Sequence, residues 1–199
     1  MTANLQDLIA EYEEYFLLGG IQQSFSELEQ LVKEIGDRKF DSLCEIGIAD
    51  GGTLWLFSHL FANRGATFTC IDNDIRPLTL KVIEAIEESM QIKFIILHGD
   101  NMLMKPCAYN IDFLYIDGNH SFEGVMHDYK THFPSVLPGG FVAIHDTLLM
   151  EGPSKLRNLI EISGPPSKTF KGTDTLCNCF GPNRINPSNL SFGTTVIWK

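Results

Sequence analysis

The 199-residue chain is short of positive charge, of membrane-length apolar runs and of paired cysteines. Fifteen Lys and Arg stand against 25 Asp and Glu, a formal net charge of -10. Nucleic-acid binding draws on Lys and Arg contacts to phosphate, and anionic lipid attracts the same residues, so both partner classes are disfavoured. No apolar run approaches the ~20 residues that cross a bilayer. Met1 to Ala10 carries Asp7 and no Lys or Arg, unlike the basic start of a signal peptide. The cysteines, Cys44, Cys70, Cys107, Cys177 and Cys179, are odd in number, and Cys177-x-Cys179 has no second pair at zinc spacing. Reduced thiols and a cytoplasmic location are the expectation. Repeats and low-complexity tracts are also missing. The 44% hydrophobic and 20% charged content is that of one folded domain.

What is present is periodic. Asn4 to Leu18 places Leu5, Leu8, Ile9, Tyr12 and Phe16 at helical steps, and Gly19-Gly20 ends that helix. Ser24 and Glu27 have capping-box spacing before a second helix carrying Leu28, Leu31, Val32 and Ile35. From Ser42 onward short apolar strands alternate with helices. The strands are Ser42–Ile46, Ala66–Ile71, Ile92–Leu97, Ile111–Ile116 and Phe141–Ile144. Strands apolar throughout imply a largely parallel sheet covered on both faces. Pro153–Ile162 reads as one more helix, and Ser167–Lys171 and Thr194–Trp198 as closing strands. The long 172–192 stretch between them is a functional or flexible loop. The expected fold is α/β, a doubly wound, seven-stranded, mostly parallel sheet with its last strand antiparallel. Residues 1–37 would form a helical cap over the strand ends of a single domain whose core is 38–199.

The chemistry-bearing residues fall at strand ends. Glu45-Ile46-Gly47-Ile48-Ala49-Asp50-Gly51-Gly52-Thr53 is a glycine-rich strand-to-helix turn, where such a sheet binds ligands. Its Gly-x-x-x-Gly-Gly spacing differs from the Gly-x-Gly-x-x-Gly of dinucleotide enzymes, which argues against a nicotinamide-dependent oxidoreductase. Asp72, ending the second strand, can hold ribose hydroxyls, with Asp74 as its local rival. Asp100, after the third strand, can face an adenine amino group or merely cap a loop. The fourth strand ends in Asp117-Gly118-Asn119-His120 and the fifth in His145-Asp146. Two carboxylates and an imidazole at neighbouring strand ends can hold a divalent cation. His59, His127 and His132, on helices, read as structural.

These residues together resemble a class I S-adenosylmethionine-dependent methyltransferase. The block Ile116 to Val125, with Leu137-Pro138-Gly139-Gly140 and His145-Asp146, is similar to the small bacterial branch related to cephalosporin-hydroxylase-like and macrocin-type O-methyltransferase proteins. The likeness runs from about Ile21 to Thr147. It implies S-adenosylmethionine as cofactor, held by Glu45, Gly47, Ala49, Asp50, Gly51, Gly52 and Thr53, by Asp72 and Asn73, by Asp100 and Asn101, and by Asp117. It implies Asp117 and His120 as catalytic residues. Asp117, His145 and Asp146 would be the ligands of any assisting cation, magnesium or manganese. His145 stands where metal-using relatives carry an acid, which suits manganese, iron or zinc better than magnesium. Ile21-Gln22-Gln23 resembles a segment that lines the site in the family. The implied reaction is methyl transfer to an oxygen of a small hydroxylated molecule. A non-catalytic or differently catalytic member of the same fold family is the alternative, and a homo-oligomer is compatible with the sequence without being specified by it.

Overall fold

The computed structural model describes residues 4–16, 21, 23–103, 105–106, 110–172 and 191–199. Seven strands are joined in one sheet: β1 (Phe40–Ile46), β2 (Ala62–Asp72), β3 (Lys93–His98), β4 (Ile111–Ile116), β5 (Val136–Ile144), β6 (Ser167–Phe170) and β7 (Thr194–Trp198). Their spatial order is β3-β2-β1-β4-β5-β7-β6. The first five pair in parallel, and β7 runs antiparallel to both β5 and β6. The helices are α1 (Leu5–Phe16), α2 (Phe25–Ile35), α3 (Gly52–Phe61), α4 (Pro77–Met90), α5 (Phe122–His132) and α6 (Glu151–Ser163). Among the described residues no helix is long and apolar enough to cross a membrane.

Two-residue alternation along the strands divides the core. Leu43, Phe68, Phe113, Tyr115 and Phe141 face one side, where they pack with α1, α2, α3 and α4. Cys44, Ile71, Leu114, Ile116, Val142 and Ile144 face the other, against α5 and α6. Burial on both faces explains why these strands carry few polar residues. The edge strand β3 is the exception. Ile95 and Ile96, on its opposite faces, are each 38% exposed, because β3 has a neighbour on one side only.

The N-terminal helices divide their work differently from the expectation that both cross the strand ends. Leu8 of α1 accepts through its carbonyl from Trp55 Nε1 on α3 at 3.2 Å, whereas α2 packs beside β6 and β7. The capping box is not formed. Ser24 precedes α2 without capping it through its side chain, and Glu27 is turned inward, 1% exposed. Glu27 Oε1 accepts from Gly172 N (3.0 Å), Ser191 Oγ (2.8 Å) and Gly193 N (2.9 Å), and Oε2 from Thr194 Oγ1 (3.3 Å). Burial favours this arrangement, since a carboxylate removed from water needs several donors. Gly19, Gly20, Cys107, Cys177, Cys179 and most of the 172–192 stretch lie outside the described residues. Cys44 and Cys70 are both buried.

Candidate functional site

The first residue past each of β1, β3, β4 and β5 donates its backbone N–H to the neighbouring strand. Gly99 donates to Asp72, Gly47 to Ile71, Asp117 to Ile46, and His145 to Ile116, at 2.8–3.0 Å. The ladder therefore sets these positions in one row along the carboxyl edge of the sheet. Two cavities open on that edge. The larger, ≈ 400 Å³, lies over β2, β3 and β4 and is lined by Asp72, Asn73, Asp74, Arg76, Gly99, Asp100, Asn101, Met102, Gly118, Asn119 and Asp128. The smaller, ≈ 260 Å³, lies over β1, β4 and β5 and is lined by Tyr12, Ile21, Gln23, Asp50, Gly52, Thr53, His120, His145, Asp146 and Phe192. Gly47, Ala49 and Asp117 border both.

The glycine turn between the cavities depends on backbone geometry. Gly47 has φ +82°, and a Cβ there would lie 2.2 Å from the carbonyl oxygen of Asp117. Ala49 has φ +43°, a conformation costly for a residue with a Cβ. It is held on both sides: its N–H reaches Asp72 Oδ2 at 3.3 Å, and its carbonyl accepts from Thr79 Oγ1. Asp50 pairs with Arg76 at 3.1 Å and accepts from Tyr12 OH through its carbonyl at 3.1 Å. Glu45 and Gly51 do not line either cavity. Glu45 lies beneath the turn, fully buried, accepting from Thr53 Oγ1. Burial pushes its carboxyl well above the ordinary range, with Thr53 offsetting only part.

Asp72 is tied to the chain around it. Oδ2 accepts from Ile48 N (2.7 Å) and Ala49 N (3.3 Å), and Oδ1 from Asp74 N (2.9 Å). A carboxylate offers about four acceptor positions, so room for one ligand hydroxyl remains. Asn73 accepts His98 Nε2 at its carbonyl at 3.1 Å. Asp100 is exposed, and its Oδ1 accepts from Met102 N at 2.9 Å, which is the loop cap weighed as its plainer role.

At the other end five side chains converge. His120 Nε2 lies 3.4 Å from Asp117 Oδ1 and 3.2 Å from Asp146 Oδ2. His145 Nδ1 lies 3.2 Å from Asp117 Oδ1 and 3.6 Å from Asp146 Oδ1. Gln23 Nε2 donates to Asp117 Oδ2 at 3.0 Å. Burial works to raise the Asp117 carboxyl, but His145 and His120 outweigh it and hold it at about 2. Burial likewise works to lower His145, and Asp117, Asp146 and Glu27 raise it to about 9. Burial raises the Asp146 carboxyl, and the bond to Asp117 raises His120. Asp146 has φ +58°, the left-handed region that Asp enters more readily than most residues.

Among the described residues, the set whose ligand atoms all lie within 4.8 Å of one another is Asp117, His120 and Asp146. His145, named from the sequence as the third ligand, stands outside it and bonds to Asp117 instead. Asp146 Oδ1 and His145 Nε2 are buried with no hydrogen-bond partner among the described residues. An orphaned carboxylate oxygen beside a second carboxylate and an imidazole fits a divalent cation, with His145 orienting Asp117 from behind.

Four contributors escaped the sequence reading: Glu27, Arg76, Asp128 and Phe192. Phe192 stacks on His145, 5.8 Å between ring centroids, and is positioned by the Glu27 bonds to its neighbours. Glu27 and Asp128 are acids inside helices, where the usual expectation is a solvated face. The residues read as structural are so placed: His59 Nδ1 meets the Trp55 carbonyl at 2.8 Å, and His127 and His132 hold Asn101.

This strand order with this row of strand-end residues defines a Rossmann-like methyltransferase fold. A family model described as a methyltransferase domain matches residues 44–147, just over half of the chain. The chain belongs to that family, whose members are enzymes of methyl transfer. No curated protein matches the sequence. Solved structures match across nearly all of it. The O-methyltransferase of Bacillus cereus, in complex with SAH, superposes with TM-score 0.65 at 13% identity, covering 97% of this chain and 91% of its own. TomG of Streptomyces achromogenes, an O-methyltransferase of tomaymycin synthesis in complex with SAM, gives 0.63 at 13%, covering 100% and 92%. A precorrin 8W decarboxylase from Methanobacterium thermoautotrophicum gives 0.53 at 16%, covering 85% and 86%. These likenesses establish the fold.

Proposed function

We propose that the chain transfers a methyl group from S-adenosylmethionine to a hydroxyl oxygen of a small molecule. The observation that carries this is the pair of joined cavities, with Asp72 on one side and the Asp117–His120–Asp146 cluster on the other. In this reading the larger cavity takes the nucleoside, Asp72 accepts from its ribose, and the glycine turn passes the methionine part into the smaller cavity beside Asp50, Gly52 and Thr53. The acceptor enters between Phe192 and the acid–imidazole cluster. Its oxygen attacks the methyl carbon in line as the carbon–sulfur bond breaks, and the sulfur keeps that electron pair. With no cation bound, the hydroxyl proton passes to the Asp117–His120 pair. Much of the rate would come from holding the two reactants in line.

A divalent cation, manganese or magnesium, would be held by Asp117, His120 and Asp146. When bound, it lowers the pKa of a coordinated hydroxyl. The net charge of -10 supports a small polar acceptor over RNA. The odd count of five cysteines supports a reducing, cytoplasmic setting. The test is release of S-adenosylhomocysteine from S-adenosylmethionine over a panel of hydroxylated acceptors, with manganese, magnesium or a strong chelator. Acceptor-dependent release confirms the reading, and its loss with chelator adds the cation. Tight cofactor binding without release on any acceptor would contradict O-methylation.

A further inference from the structure

Asp128 sits inside α5, 3% exposed, yet it lines the larger cavity. Its Oδ1 accepts from Asn101 Nδ2. Asn101 is gripped twice more by the same helix: His127 Nε2 meets its carbonyl at 3.1 Å, and His132 Nε2 lies 3.4 Å from its Oδ1. Asn101, the third residue after β3, is thus fixed at three atoms. Asp128 Oδ2 has no hydrogen-bond partner among the described residues. It lies over Gly118, 3.5 Å from where a Cβ on that residue would stand. Gly118 and Asp128 line the same stretch of the cavity wall. His132 Nδ1, by contrast, is sealed from solvent as well as unpartnered.

We propose that Asp128, positioned by Asn101, reads the base of the bound nucleoside: its free carboxylate oxygen accepts the exocyclic amino group of an adenine. The proposal deepens the S-adenosylmethionine reading and rests on it. It moves base recognition from Asp100, which the sequence suggested, to an acid on another element. Asp100 is exposed and spends one oxygen on Met102 N and its carbonyl on Leu103 N. Water competes for an exposed acceptor. A buried acceptor that meets no donor is costly, so it discriminates between ligands. A 6-oxo purine would set its own acceptor against Asp128 Oδ2.

The test compares binding of S-adenosylhomocysteine and its 6-oxo counterpart, S-inosylhomocysteine, by calorimetric titration. The wild type should prefer the amino form by at least about tenfold, since loss of a bond to a charged group costs this much or more. In Asp128→Asn the Asn101 amide still meets an oxygen, so the variant presents its own NH2 to the cavity. The preference should vanish or invert. Asp100→Asn should retain it. A wild-type preference that survives in Asp128→Asn would overturn the assignment, whatever Asp100→Asn does, as would a wild type that does not discriminate. If Asp128→Asn does not fold, Asp100→Asn decides alone: a retained preference supports Asp128, and a lost one overturns it. A wild type that binds neither compound would instead sink the cofactor reading itself.

Discussion

Asp72 and Asp117 end strands that flank β1 on either side, and they are held in opposite ways. Among the described residues, every partner of the Asp72 carboxylate is a backbone N–H from its own turn or the glycine turn. Every side-chain partner of Asp117 is another side chain: Gln23, His120 and His145. An acid bonded to backbone fixes the path of the chain. An acid bonded to imidazoles shares protons with them and can exchange those partners for a cation or a substrate hydroxyl. The Asp72 side is thus built to hold, and the Asp117 side to react.

The comparison breaks most sharply at Asp117. Asp117→Asn keeps the shape and removes the charge that balances His120 and His145. Methyl transfer should fall by ~10²–10⁴, the scale of general acid–base assistance. S-adenosylhomocysteine affinity should change far less. Equal losses in kcat and in affinity would show that Asp117 is only a binding group. Gly47→Ala attacks both sides at once, because the added Cβ meets backbone of Asp117 and the residue is at φ +82°. Destabilisation should reach about 3 kcal/mol or more, strain plus overpacking. That is a melting-point loss of roughly 6–12 °C. A melting curve unchanged from wild type would refute the close approach of β1 and β4 ends.

Glu27 combines both kinds of bonding, with two backbone and two hydroxyl donors. Glu27→Gln turns an amide toward some of those donors and should cost about 2 kcal/mol in chemical denaturation. In the folded variant, KM for the acceptor should rise while KM for S-adenosylmethionine holds, since Phe192 borders only the smaller cavity. A matched rise in both would remove Glu27 from acceptor placement. Asp72→Ala carries the smallest effect, a loss of cofactor affinity of at least about tenfold, or ~1.4 kcal/mol. Unchanged affinity in the folded variant would end the ribose assignment.

Much of this was legible in the sequence because two signals are strong there. Apolar strands alternating with amphipathic helices specify the sheet, and the strand ends then place Asp72, Asp117 and His145 in one row without further information. Side-chain direction was not legible. Whether His120 or His145 faces Asp146 depends on the left-handed φ at Asp146 and on Phe192 stacking over His145, neither of which has a local signature. Glu27 shows the same limit. Its spacing from Ser24 matches a capping box, but donors more than 140 positions away, at Gly172, Ser191 and Gly193, claim its carboxylate. Asp128 is hidden for a related reason, since a helical acid is normally solvated and only the tertiary fold brings Asn101 to it.

The division into a holding side and a reacting side is tested most directly by a crystal structure with S-adenosylhomocysteine, grown with manganese and read for anomalous scattering. The account expects the ribose on Asp72, the purine against Gly118 and Asp128, and the sulfur at the Gly47–Ala49–Asp117 junction. Any manganese peak should lie among Asp117, His120 and Asp146. A nucleoside seated instead against Phe192 and His145, with the Asp72 cavity left to solvent, would contradict it.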